Sequence, residues 1–151
     1  MVQSFNHRTA FGAWINDVRN EGMPNEPWPY VKIDDKTLKD VIGNLELQKK
    51  FGFNEFDVFG LLTSHSWPLD IVSAVDEDRK RRVNRILDVA HELGLKVLYG
   101  LGVYSWGFDE IIRKDPEVQG SNPHAMCGSK PESQRWMMKI VDFILSDFAI
   151  D

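Results

Sequence analysis

DEDRKRRVNRILDVAHELGLKVLYGLGVY, residues 76–104, changes its periodicity once, at Gly94. Before that glycine Val83, Ile86, Leu87, Ala90 and Leu93 form one apolar stripe at helical spacing, while Asp78, Arg79, Lys80, Arg82 and Arg85 are expected outward. Asp76 stands at the helix start, and Gly94 stands where a helix C′ glycine belongs. After it, residues 96–104 (KVLYGLGVY) are too continuously apolar for a half-exposed strand. They fit a parallel strand covered on both faces. A helix passing through one glycine into a buried strand is the joint of a βα repeat.

The same joint occurs once more upstream. Lys50-Phe51-Gly52-Phe53 leads into the run 56–62 (FDVFGLL) as Glu92-Leu93-Gly94-Leu95 leads into 96–104, and glycines 52 and 94 are 42 positions apart. That interval is the length of one βα unit. The second strand is expected over residues 56–62, with Asp57 its one polar interruption. Asp34 or Asp35 caps a preceding helix whose apolar positions are Leu38, Val41, Ile42 and Leu45 and which runs to about Phe51. Residues 11–15 (FGAWI) give a first strand, closed by Asn16 and Asp17 and followed by the turn-rich stretch 20–30. Beyond the third strand a loop spans about 105–130, with a short helix at 109–113. Pro131 then opens a last helix with the stripe Trp136, Met137, Ile140, Val141, Ile144, Leu145 and Phe148. Residues 147–151 are expected to be that helix's end.

The expected fold class is α/β: the first three βα units of a TIM (β/α)8 barrel, with residues 1–151 one piece of a single barrel domain cut before strand four. A complete barrel needs about 250 residues, more than the 151 present. A doubly wound sheet is the alternative, because three βα units also begin such folds.

Composition excludes several classes. With 42% apolar and 27% charged residues the chain is that of a globular protein, and its net charge of -5, with both signs intermixed, offers no basic face for a phosphate backbone. No nucleic-acid partner is expected. Cys127 is the single cysteine, which excludes an internal disulfide or a multi-thiolate metal site. Neither a signal peptide nor a membrane span is expected, since no run has the required apolar length. His7 and His124 fall in polar loops and His91 in a helix, with no ligand spacing among them, so no metal and no cofactor is expected. Gly100-Leu101-Gly102 lacks the third glycine of a dinucleotide loop, and no G-x-S-x-G elbow occurs. Residues 79–82 (RKRR) read as a solvated helix face rather than a localisation signal. Cys127, before a helix start, reads as a packed loop thiol.

In a barrel, functional side chains follow the C-terminal ends of strands, which here means residues 16–19, 63–67 and 104–108. Trp14, Trp67 and Trp106 lie at or just past strand ends and Trp28 in the first loop, leaving only Trp136 on a helix. Flat aromatic faces with polar neighbours suit the C–H face and the hydroxyls of a sugar; the same rings could equally cap the barrel core. His65 is placed to bond a hydroxyl or carry a proton. Asp17 and Asp109 are carboxylates beyond strands one and three, positions that a helix cap or loop ion pair also explains.

FGAWI, KKFGFNEFDVF, RILDVAHELGLKVLYGLGVYSWG and MCGSKPESQRWMMKIVDFILSDFAID together resemble the N-terminal part of glycoside-hydrolase-type TIM barrels. The resemblance implies hydrolysis of glycosidic bonds by two carboxylates, a general acid and a nucleophile or base. Those residues usually come from strand four onward, so none is carried over and this chain alone is expected to be inactive. What the resemblance leaves to this chain is substrate lining by Asn16, Asp17, His65, Trp67, Tyr104 and Trp106, with a carbohydrate as partner. A noncatalytic carbohydrate-binding or scaffold barrel is the alternative, and a metal-dependent or lyase barrel a third. Unpaired sheet edges are expected to drive self-association.

Overall fold

The computed structural model of the chain describes residues 5–14, 33–59, 61–62, 67–101 and 108–151. Three strands, β1 (Thr9–Trp14), β2 (Glu55–Phe59) and β3 (Lys96–Gly100), form one parallel sheet in the order β1-β2-β3. Among the described residues four α-helices accompany them: α1 (Asp35–Lys50), α2 (Glu77–Glu92), the short α3 (Asp109–Lys114) and α4 (Pro131–Asp147). Single 3-10 turns lie at Ile71–Ala74 and Pro116–Val118.

The two long helices that precede strands are built alike. Asp34 accepts the Thr37 N–H and Asp76 the Arg79 N–H, each at 2.8 Å, so each aspartate satisfies one of the amides that a helix start leaves without a partner. At the other end Gly52 (φ 83°) and Gly94 (φ 68°) adopt the left-handed conformation. Their N–H groups donate to the carbonyls of Lys49 and His91, while those of Phe53 and Leu95 donate to Gln48 and Ala90. Both are Schellman closures, and both turn the chain directly into a strand.

Pleating assigns the strand residues to two faces. Phe56, Val58 and Val97 lie in the core with Leu45 of α1, Val83, Ile86, Leu87 and Ala90 of α2, and Ile140, Phe143 and Ile144 of α4. The opposite face carries Thr9, Glu55 and Lys96 at one level, and Asp57 opposite Leu98 at the next. Glu55 is buried, accepting from the Thr9 hydroxyl and lying 2.5 Å from His7 Nδ1. Those two partners hold its carboxyl below the usual range, whereas burial raises that of Asp57. Ion pairs tie α2 to both neighbours, from Arg82 to Asp35 of α1 at 2.9 Å and from Lys80 to Asp147 of α4 at 2.7 Å.

Four boundaries and one residue differ from expectation. The first strand begins two residues early, because Thr9 and Ala10 pair with Glu55 and Phe56; Ile15 lies outside the described residues. The second strand occupies Glu55–Phe59 rather than 56–62. Leu61 and Leu62 are apolar because they are completely buried, not because they pair. The third strand ends at Gly100, with Leu101 already out of the ladder and 102–104 outside the described residues. Residues 147–151 are not a helix end: α4 stops at Asp147, Phe148 is extended (φ -135°, ψ 140°), and the segment turns in beside β3. There Asp151 takes both outward backbone groups of Val97, donating its N–H to the carbonyl at 3.0 Å and accepting the Val97 N–H on its carboxylate at 2.8 Å. Arg79, expected outward, is buried, and its Nε donates to the Leu61 carbonyl at 3.1 Å. The guanidinium thus satisfies a backbone group of the buried segment that leaves β2.

Candidate functional site

Because the strands are parallel, Trp14, Phe59 and Gly100 end on one rim, the side on which a parallel sheet carries its ligand-binding loops. Of the six residues expected to line substrate, Asn16, Asp17, His65, Tyr104 and Trp106 lie outside the described residues. Trp67 is described, and it is 4% exposed. Its ring meets Phe143 of α4 edge-on, with centroids 6.3 Å apart, and Phe143 meets Phe148 in the same way at 5.8 Å. This aromatic row fastens the segment after β2 to α4, which is the core-capping role that a tryptophan at a strand end can also take.

The described rim holds a second constellation, built by residues 115–130. Gln119 and Met126 form an antiparallel bridge, closed by the Gly120 N–H on the Ala125 carbonyl (2.7 Å) and the Cys127 N–H on the Val118 carbonyl (2.8 Å). Gly120 suits this crossing, because a Cβ there would sit 3.2 Å from the Ala125 carbonyl oxygen, closer than an ordinary contact. At the tip, Asn122 Oδ1 accepts the His124 N–H at 2.9 Å and the Asn122 carbonyl accepts the Ala125 N–H at 3.1 Å, an Asx-type turn completed by Pro123. The base is anchored to neighbouring elements. Ser133 Oγ, buried in α4, donates to the Val118 carbonyl, Lys130 Nζ donates to the Gln119 carbonyl, and Trp136 Nε1 donates to Asp115.

This excursion delivers His124 to Asp109, the first residue of α3, with Nδ1 and Oδ1 2.9 Å apart. Helix α3 is itself fixed to the segment after β2, since Glu110 accepts the Leu69 N–H at 3.2 Å. A carboxylate only accepts, so the facing ring nitrogen carries a proton, and in the neutral ring Nε2 is then the acceptor. The Asp109 side chain is 10% exposed and that of His124 40%. Asp109 Oδ2 is buried and has no hydrogen-bond partner among the described residues. Leaving such an oxygen without a donor costs about 1–3 kcal/mol.

Beside the same excursion lies a depression of about 330 Å³ lined by Gly120, Asn122, Met126, Cys127 and Ser129 among others. Cys127 Sγ is 3.0 Å from Ser129 Oγ, and that contact, with Lys130 nearby, lowers the thiol below its ordinary range. Among the described residues no three His, Cys, Asp or Glu side chains converge as a metal site would require. No described helix is long and apolar enough to cross a membrane.

Sequence reading placed Asp109 beyond strand three and His124 in a polar loop but did not join them. The available signal was the turn Asn122-Pro123-His124 followed by Ala125-Met126, two residues apolar enough to be drawn back into the fold.

No protein-family model matches the chain, and no curated protein matches it. Solved structures do. The chain superposes on an alpha-amylase from Geobacillus thermoleovorans, solved in complex with acarbose, with a TM-score of 0.63 and 16% identity, over 96% of this chain and 38% of that one. A noncanonic maltogenic alpha-amylase, AmyB from Thermotoga neapolitana, matches with a TM-score of 0.58 and 17% identity, over 95% of this chain and 36% of that one. The chain therefore has the fold of part of an alpha-amylase-like barrel, and it spans less than two-fifths of the length of these structures.

Proposed function

We propose that this chain is the N-terminal part of a carbohydrate-active barrel whose parent protein hydrolyses glycosidic bonds with a carboxylate pair lying beyond residue 151. The observation that carries the reading is the match, over nearly the whole chain, to two alpha-amylases, one of them holding acarbose. In this reading the strand-end rim is the substrate surface. Asn16, Asp17, His65, Tyr104 and Trp106 line it, polar groups bonding hydroxyls and rings stacking on sugar faces. Trp67, buried against Phe143, supports the rim from beneath.

A hydrolase needs its acid and its nucleophile or base on opposite sides of the scissile bond, and one partial sheet presents only one wall of such a cleft. The 151-residue chain is accordingly expected to bind oligosaccharides without cleaving them. Binding to a glycan array and to acarbose, alongside release of reducing sugar from malto-oligosaccharides, measures both. Turnover by the chain alone would overturn the placing of the carboxylate pair. Absence of binding to every glycan would remove the carbohydrate reading.

A further inference from the structure

Asp109 and His124 make a polar contact between α3 and the excursion that follows it. The two are tied down at different points, α3 to Leu69 through Glu110 and the excursion by its bridge at Gln119 and Met126. Supports converging on one imidazole fix its position, and the carboxylate selects the tautomer of the neutral ring. The ring's second nitrogen makes no hydrogen bond among the described residues, and the side chain is the more exposed of the two. On the other side of the pair, Asp109 keeps one oxygen buried with no donor among the described residues. Buried carboxylate oxygens usually have a partner. Here the carboxylate is spent on a single bond to Nδ1, the arrangement that holds an imidazole with its far nitrogen ready for a substrate group.

We infer that Asp109 and His124 form a hydroxyl-recognition pair on the strand-end rim. His124 Nε2 accepts a hydrogen bond from a ring hydroxyl of a saccharide, and Asp109 is the positioning residue that fixes the Nδ1–H tautomer. The inference rests on the carbohydrate reading above and adds to it a contact in the segment between β3 and α4. Neutral Nε2 is an acceptor, and the donor it meets is a hydroxyl, so the pair selects sugars carrying a free hydroxyl at the contacted position and rejects those methylated there.

The test uses the 151-residue chain with nitrogen-15 labelled histidine, titrated with maltotriose and with cellotriose. Without sugar, His124 is expected to show a protonated Nδ1 and an unprotonated Nε2. Saturation with the trisaccharide that binds is expected to move the Nε2 resonance and leave Nδ1 in place. His124→Gln and Asp109→Asn are each expected to weaken binding about tenfold, the loss of one hydrogen bond to substrate. Asp109→Asn is also expected to bring in the Nε2–H tautomer, which a merely structural role for the pair would not tie to affinity. Binding that leaves the Nε2 resonance unmoved and survives both substitutions would overturn the pair while sparing the carbohydrate reading. Failure to bind any glycan on the array would overturn both. The wild-type ring resonances decide even if a variant does not fold.

Discussion

Gly52 and Gly94 are single residues on which the two helix-to-strand turns depend, and for a reason specific to backbone conformation. Both have φ well inside the left-handed region, where any Cβ is strained, although an added methyl would meet nothing within 4 Å at Gly52 and only the Lys49 Nζ at 3.4 Å at Gly94. Replacing either by alanine is expected to cost about 1–2 kcal/mol. Gly43 is the contrast: it sits inside α1 with open space around it, and Gly43→Ala is expected to gain about 0.5–1 kcal/mol. Urea unfolding of the three variants checks the opposite signs. Acid acts on other residues. The Asp151 carboxyl is lowered by the Val97 N–H and by His91, and that of Glu55 by Thr9 and His7. A carboxyl lower in the folded than in the unfolded state stabilises above its unfolded value and loses that contribution as pH falls through the folded one. The urea midpoint is therefore expected to hold from about pH 7 to 5 and to fall below about pH 4. Asp151→Asn, which keeps an oxygen for Val97 but no charge for His91, should flatten part of that fall. Asp57 has the opposite sign, because burial raises its carboxyl and ionisation there opposes folding. Asp57→Asn is expected to raise the midpoint at pH 7 and to leave it unchanged at pH 3.

Arg79 links an element to a loop, and its effect is expected at that scale. Its guanidinium is buried beneath the segment leaving β2 and donates to the Leu61 carbonyl. Arg79→Ala is expected to destabilise by about 1–3 kcal/mol by leaving that carbonyl without its donor. Lysine should not restore it, because the bond uses Nε in a planar fork that an ammonium does not reproduce. Thermal melts of the two variants measure this. The same contact explains what was legible in the sequence. Helical period, capping aspartates and closing glycines are local, so α1, α2 and their joints could be read from Asp34, Asp76, Gly52 and Gly94 alone. Strand ends could not, because the apolar character of Leu61 and Leu62 reports burial, and burial continues past the ladder where a side chain such as Arg79 takes over the backbone bonding. The end of α4 was missed for a related reason. Phe148 fits the helical stripe, yet its ring is claimed by Phe143 and Asp151 by Val97, and these tertiary contacts draw 148–151 out of the helix. The pairing of Asp109 with His124 was not read because the turn Asn122-Pro123-His124 marks that residues 115–130 fold back but not which residue they meet.

At the scale of the whole molecule, three βα units leave surfaces that a closed barrel covers. Phe56, Val58 and Val97 are sealed under the helices, but the face bearing Glu55, Asp57, Leu98 and Lys96 has no second wall of strands among the described residues. On the helical side Met138 and Leu145, one heptad apart on α4, are 56% and 62% exposed, and Val72 near the start of α2 is 64% exposed. A groove of about 470 Å³ runs between the turn Ile71–Ala74 and α4, with Phe143 in its lining. In a barrel the next helix would lie beside α4, and the Met138–Leu145 stripe has the spacing of such a contact. Two surfaces can therefore drive self-association, and they differ in chemistry. The sheet face is interrupted by Asp57 and Lys96, which must be desolvated or paired in any face-to-face contact, whereas the α4 stripe is apolar and needs only a complementary helix. Association is thus expected to run through α4. Sedimentation of the chain should show mass rising with concentration, and a Met138→Glu, Leu145→Glu double variant should return it to monomer with its far-ultraviolet spectrum unchanged. If the double variant still associates while high salt disperses it, the charged sheet face is the contact, because salt screens ion pairs between Asp57 and Lys96 of facing copies but strengthens apolar burial.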